Sequence, residues 1–127
     1  MSEAVGPALV LDEALSLWGG MDPATGELID AHHPQRGATL VGKVVVMPSG
    51  RGSSSSASVL AESARAGTAP AAFLLDESDL ILAIGSAVAE ELYGVVVPVV
   101  VVEPEVRSRI ADGTEVIVRA DGSVIRA

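Results

Sequence analysis

Residues 38–67 read ATLVGKVVVMPSGRGSSSSASVLAESARAG, and three kinds of segment succeed one another within them. Ala38 to Met47 is an apolar, β-branched run that reads as a buried strand, and Pro48 stops it because proline has no N–H to give a ladder. Pro48-Ser49-Gly50-Arg51-Gly52-Ser53-Ser54-Ser55-Ser56 is a loop rich in glycine and serine. From Ala57 onward the spacing becomes helical. Val59, Leu60, Ser63 and Ala66 share one face, and Gly67 can end the helix. Strand, loop and helix in that order are the first part of a parallel unit closed by a right-handed crossover.

The pattern then repeats. Ala71 to Leu75 reads as a second buried strand, Asp76, Ser78 or Asp79 can each cap a helix from Leu80 to Tyr93, and Gly94 ends it. Val95 to Val102 reads as a third strand. Upstream, Pro7 to Leu11 is a short apolar strand, followed by Leu15 to Trp18 and a turn-rich segment, Gly19-Gly20-Met21-Asp22-Pro23, with Gly26 close behind. Asp30 to Gly37, DAHHPQRG, has no apolar period and reads as a surface loop carrying both histidines. At the far end, Glu115 to Arg119 and Ser123 to Arg126 flank Asp121-Gly122, a strong hairpin signal. The expected fold class is mixed α/β.

Composition narrows the function. A length of 127 residues fits one domain, 1–127, and 49% hydrophobic residues against 20% charged are enough to fold it. A net charge of −9 repels phosphate backbones and anionic bilayers, so nucleic acid is not an expected partner. The longest apolar run, Val95 to Val102, is broken by Pro98 and falls far short of the roughly 20 residues that span a bilayer. No membrane partner is expected either, and with no basic stretch ahead of an apolar run near Met1 the expected location is cytoplasmic. The absence of cysteine excludes disulfides, thiolate metal sites and a cysteine nucleophile. No metal site is expected in this chain.

Two motifs lack the context their chemistry needs. Gly37 to Lys43, GATLVGK, has the glycine and lysine spacing of a phosphate loop, but Val44 stands where the magnesium-binding Ser or Thr belongs, and Lys43 opens a β-run rather than a helix. His32 and His33 could serve as bases, ligands or a phosphocarrier. Adjacent loop histidines seldom meet one metal, though, and no carboxylate follows at helical spacing. The serine loop is richer. Gly50 and Gly52 allow close approach of backbone to a ligand, Ser53 to Ser56 lie where the first amides of a helix point outward, and Arg51 adds a permanently charged donor fork. That set suits an anion, and local physics alone equally allows an exposed loop with a serine cap.

The wider pattern carries a resemblance. Leu17-Trp18-Gly19-Gly20 with Asp22-Pro23, His33-Pro34, Gly42-Lys43-Val44, Pro48 to Ser54, Gly67-Thr68-Ala69-Pro70-Ala71-Ala72 and Ala89-Glu90-Glu91-Leu92 together resemble the small, swivelling subunit of the aconitase X family. Its members include archaeal phosphomevalonate dehydratase and bacterial cis-3-hydroxy-L-proline dehydratase. The resemblance implies a three-layer β/β/α swivelling domain, here with a C-terminal β-hairpin. It also implies a large aconitase X-type subunit as partner, which carries the iron or iron–sulfur centre and most substrate contacts, with no cofactor bound by this chain. On this reading Ser53 is the catalytic base that abstracts a carbon-bound proton, and Ser49, Gly50, Arg51, Gly52 and Ser54 line the substrate site. The function implied is that of a hydro-lyase subunit, inactive without its large subunit, acting on a small anionic hydroxy acid. The run from Pro48 to Val59 looks closer to the bacterial members, which favours cis-3-hydroxy-L-proline. The alternatives are a phosphomevalonate dehydratase small subunit, or a non-catalytic swivel-fold module, including a phosphocarrier that uses His33.

Overall fold

In the computed structural model, which describes residues 3–50, 54–119 and 121–126, six strands form one sheet in the order β4-β3-β2-β1-β5-β6. The strands are β1 (Ala4–Val10), β2 (Val44–Val46), β3 (Ala72–Leu75), β4 (Val99–Val101), β5 (Glu115–Val118) and β6 (Val124–Arg126). Strands β1 to β4 pair in parallel, whereas β5 runs antiparallel to both β1 and β6. The helices are α1 (Leu17–Gly20), a single turn, then α2 (Ser56–Ala66), α3 (Leu80–Tyr93) and the short α4 (Pro104–Ser108).

Alternation along β2 and β3 divides the interior in two. Val45, Met47, Phe73 and Leu75 face Val59 and Leu60 of α2 and Leu82 of α3. Val44, Val46, Ala72 and Leu74 share a second core with Val116 and Val118 of β5 and with Ile110. Because β5 pairs only with β1 and β6, its presence in one core with β3 requires the sheet to curl over itself. Helix layer, parallel strands and curled-over hairpin together give the expected three-layer β/β/α arrangement.

Strand β1 makes this possible by changing partner midway. Ala4 to Pro7 pair with β5, and Ala8 to Val10 pair with β2. Pro7, which has no N–H, sits at the last antiparallel position, and the Val10 N–H donates to the Asp112 carboxylate at 2.8 Å where β5 no longer reaches. The strand therefore begins at Ala4, three residues ahead of the apolar run that announces it.

Helices α2 and α3 end at Gly67 and Gly94 as expected, and among the three candidate caps it is Asp79 whose carboxylate accepts the Leu82 N–H, at 3.0 Å. On α2 the buried positions are Ser56, Val59, Leu60, Ser63 and Ala64, so Ala64 takes the place expected of Ala66. Two strands are shorter than their apolar runs. In 38–47 only Val44–Val46 joins the ladder, because the Lys43 N–H turns back to the Leu40 carbonyl while Thr39 pairs with Glu27. In 95–102 only Val99–Val101 does so. Pro98 can accept from Phe73 but cannot donate, and the Val97 carbonyl is taken by the Ser86 hydroxyl. The hairpin forms as expected. At its turn the Asp121 carboxylate accepts the hydroxyl and backbone N–H of Ser123, which holds that carboxyl below its usual range.

Candidate active site

The parallel strands end side by side, with Val10 opposite Val46 and Val46 opposite Leu74. Beyond them Leu11 N–H donates to the Val46 carbonyl, and Asp76 N–H donates to the Pro48 carbonyl. Ser49 and Gly50 leave the sheet at this carboxyl edge, where open α/β sheets place their ligands. Ser54 is exposed just ahead of α2, and Ser55 occupies the N-cap position. Ser54 thus lies ahead of α2, while Gly50 lies against Leu15 and the start of α3. Arg51, Gly52 and Ser53 lie outside the described residues.

Gly50 is held from two sides. It bridges to Leu15, and a Cβ built on it would come within 1.9 Å of Asp79 Oδ2 and 3.4 Å of Leu82 Cδ1. The same Asp79 caps α3 through its other oxygen. A side chain at position 50 must therefore push the capping carboxylate away, so the loop and the start of α3 are locked to one another. Gly50→Ala is expected to lose about 1 kcal/mol, the worth of a typical cap, or about 4 °C in a thermal melt. In an Asp79→Ala background the same change should cost almost nothing further, and full additivity would remove the explanation.

A second element abuts the helix start. Trp18 (φ −67, ψ 114) and Gly19 (φ 78, ψ −11) have the angles of a type II turn, which needs a positive φ at its third residue and finds glycine there. Buried Ser56, the first residue of α2, accepts the Trp18 N–H at 3.1 Å. The indole itself is 60% exposed. Sequence reasoning placed Ser56 in the serine run at a helix start but did not single out Ser16 or the contact of either with Trp18. The only signal that could have found them was the pairing of Leu17-Trp18-Gly19-Gly20 with the serine run in one motif set.

His33 departs from expectation. Its loop lies on the surface, but the side chain itself is 5% exposed and its ring is engaged on both sides. Nδ1 accepts the Gln35 N–H at 3.1 Å, which assigns the proton to Nε2, and Nε2–H then donates to the Glu13 carbonyl at 3.1 Å. Gln35 adds bonds to the Asp12 N–H and the Val10 carbonyl. The segment 30–37 is otherwise the surface loop expected, and within it His33 and Gln35 clamp the chain leaving β1 through hydrogen bonds that leave no hydrophobic period. Gly37 to Lys43 leads into a strand and offers no helix terminus to a nucleotide, in agreement with the sequence reading. Among the described residues no three His, Asp or Glu side chains converge as a metal site, and no helix is long and apolar enough to cross a membrane.

The family model for the aconitase X swivel domain matches residues 1–127. This chain belongs to that family. A crystal structure of Thermococcus kodakaraensis aconitase X in its holo form superposes with a TM-score of 0.83 at 31% identity, covering 98% of this chain and 90% of that one. The cis-3-hydroxy-L-proline dehydratase of Pseudomonas aeruginosa is 50% identical over 96 residues, which is 76% of this swivel domain and 17% of that protein. The phosphomevalonate dehydratase small subunit of Methanothrix thermoacetophila is 35% identical over 122 residues, covering 96% of this chain and 85% of the relative. The match thus spans 61–85% of the phosphomevalonate dehydratase small subunits and about one-sixth of the cis-3-hydroxy-L-proline dehydratases.

Proposed function

We propose that this swivel domain is the small part of an aconitase X-type dehydratase, that it supplies Ser53 as the base, and that the substrate is cis-3-hydroxy-L-proline. The observation that carries the substrate is the 50% identity to the Pseudomonas aeruginosa enzyme, against 35–44% for phosphomevalonate relatives such as those of Methanothrix thermoacetophila and Methanopyrus kandleri. The dehydratase of Hypocrea jecorina, also named for cis-3-hydroxy-L-proline, lies within that lower range at 43%.

A serine hydroxyl is a very weak base, so the loop must make an alkoxide less costly. Two helix N-termini meet the loop, that of α2 directly and that of α3 through Asp79, and each presents the positive end of its dipole. The Asp79 carboxylate would oppose an anion beside Gly50, but it is spent on the α3 dipole and the Leu82 amide. Ser53 would take a carbon-bound proton, the C–H pair would become the new double bond, and hydroxide would leave the neighbouring carbon, so that the elements of water are released. Arg51 would hold the substrate carboxylate through its paired donors.

The residues of this chain do not suit an iron centre: it has no cysteine, and no donor trio gathers among the described residues. Such a centre is assigned to the larger part, which is also the partner proposed to close the site. The reading of His33 as a phosphocarrier is disfavoured by a buried ring whose two nitrogens are both bonded.

The test is reconstitution. The chain alone should be folded and inactive, and addition of the larger aconitase X part should bring dehydration of cis-3-hydroxy-L-proline. Turnover by the chain alone would refute the division of labour. Dehydration of 5-phosphomevalonate in place of the hydroxyproline would overturn the substrate and leave the role of Ser53 intact.

A further inference from the structure

Four polar groups of three residues beside the serine loop close into a ring. The Trp18 N–H donates to Ser56 Oγ at 3.1 Å, and the Ser16 hydroxyl donates to the Trp18 carbonyl at 3.2 Å. Ser16 and Ser56 oxygens lie 3.4 Å apart, a longer contact in which either could donate. The other two bonds settle the direction. A carbonyl can only accept, so the Ser16 proton is committed to Trp18, and Ser56 must give its own proton to Ser16. Each hydroxyl then donates once and accepts once, and a closed cycle of this kind gains from mutual polarisation.

The ring joins two elements that approach one helix start from different directions. One is the type II turn at Trp18 and Gly19, 38 residues upstream of Ser56. The other is the first turn of α2, the exit of the serine loop, where Ser56 is 4% exposed. A serine buried there without a partner would cost stability, and an alanine would pack as well. The hydroxyl fixes where the turn sits against the helix.

We propose that Ser56 is a positioning residue of the dehydratase. Through its ring with Ser16 and Trp18 it sets the exit of the loop that carries Ser53, a role that rests on the reading of Ser53 as the base. Removing the hydroxyl loosens the loop against the substrate without touching substrate. The loss therefore falls on the chemical step.

The experiment compares Ser56→Ala, Ser16→Ala and the double variant in the reconstituted dehydratase, and follows Trp18 in the chain itself, where it is the only tryptophan. Ser56→Ala is expected to lower kcat about 10-fold, since small misplacements of a reacting group carry large penalties. KM should stay within about twofold, the sign of an interaction that matters in the transition state. The fluorescence anisotropy of Trp18 should fall as its turn is released. Because both residues belong to one ring, the double variant should be little worse than Ser56→Ala alone. Unchanged kcat in Ser56→Ala, or strictly additive losses, would overturn the proposal. If the wild-type pair dehydrates neither substrate, the functional reading falls by itself. The anisotropy then still decides the ring, and an unchanged value in Ser56→Ala overturns it.

Discussion

On the proposed reading of Ser53 as the base, Ser53→Ala in the reconstituted pair should slow turnover by at least about 10²-fold, the lower end of what removal of a general base costs. Its melting temperature should stay within about 2 °C of the parent, because a loop hydroxyl adds little to either core. Association with the larger part should be equally unaffected. The neighbouring variant Ser54→Ala provides the control, since Ser54 is exposed and one step nearer the helix. Because Ser54 is read as lining the substrate site, its variant is expected to raise KM and to keep most of kcat. A crippled Ser54→Ala beside an active Ser53→Ala would move the base by one residue, and loss of partner binding in Ser53→Ala would make the serine a contact in place of a base. Steady-state rates and a sedimentation measurement on each variant distinguish these results.

Phe73→Ala is expected to have the largest effect on stability. Phe73 is the only phenylalanine, is 0% exposed, and lies in β3 between Val45 of β2 and Val99 of β4, on the face packed by α2 and α3. With only three aromatic residues in the chain, no neighbouring ring can swing into the hole. The loss should be about 3–5 kcal/mol, a large fraction of the 5–15 kcal/mol that holds an ordinary domain together. Denaturant titration should show the midpoint falling with little change of slope. A loss under about 1 kcal/mol would mean that the helix layer closes down onto the sheet. The function would suffer at temperatures where the fold survives, because β3 leads to Asp76, whose N–H holds Pro48 at the start of the serine loop.

The order of strands and helices was legible because its signals are local, whereas the three layers were implied by the family resemblance. Helix α3 runs from Leu80 to Tyr93 as its cap and terminal glycine announce, and the hairpin follows from Asp121-Gly122. What stayed hidden depends on distant groups. Nothing in the run 95–102 says that its first half will spend its carbonyls on Ser86 and Phe73 in place of a regular ladder. Helix α4 has four exposed residues out of five, so no apolar period marks it. At the site, residue types left the serine loop between an anion site and an exposed cap and the resemblance supplied the role of Ser53, while the contacts beside it, Gly50 against Asp79 and Ser56 against Trp18, join residues 29 and 38 apart. The burial of His33 was misread for the same reason: its partners, Glu13 and Gln35, are polar backbone groups without a hydrophobic signature.

The change of partner along β1 fixes the order in which the molecule can be completed during its synthesis. Ala8 to Val10 can pair with β2 once Val46 has left the ribosome, but Ala4 to Pro7 must wait for Glu115 to Val118. At typical elongation rates that interval is roughly 4–14 s, during which the N-terminal half of β1 is an open edge able to pair with another nascent chain. Folding of this domain therefore waits for β5. Bringing Val118 back to Ala4 is a long-range step that closes well after β1 has met β2. A substitution that weakens β5, far from the serine loop, would act first as a defect of biogenesis, seen as lower yield of soluble chain, before any change in the finished enzyme.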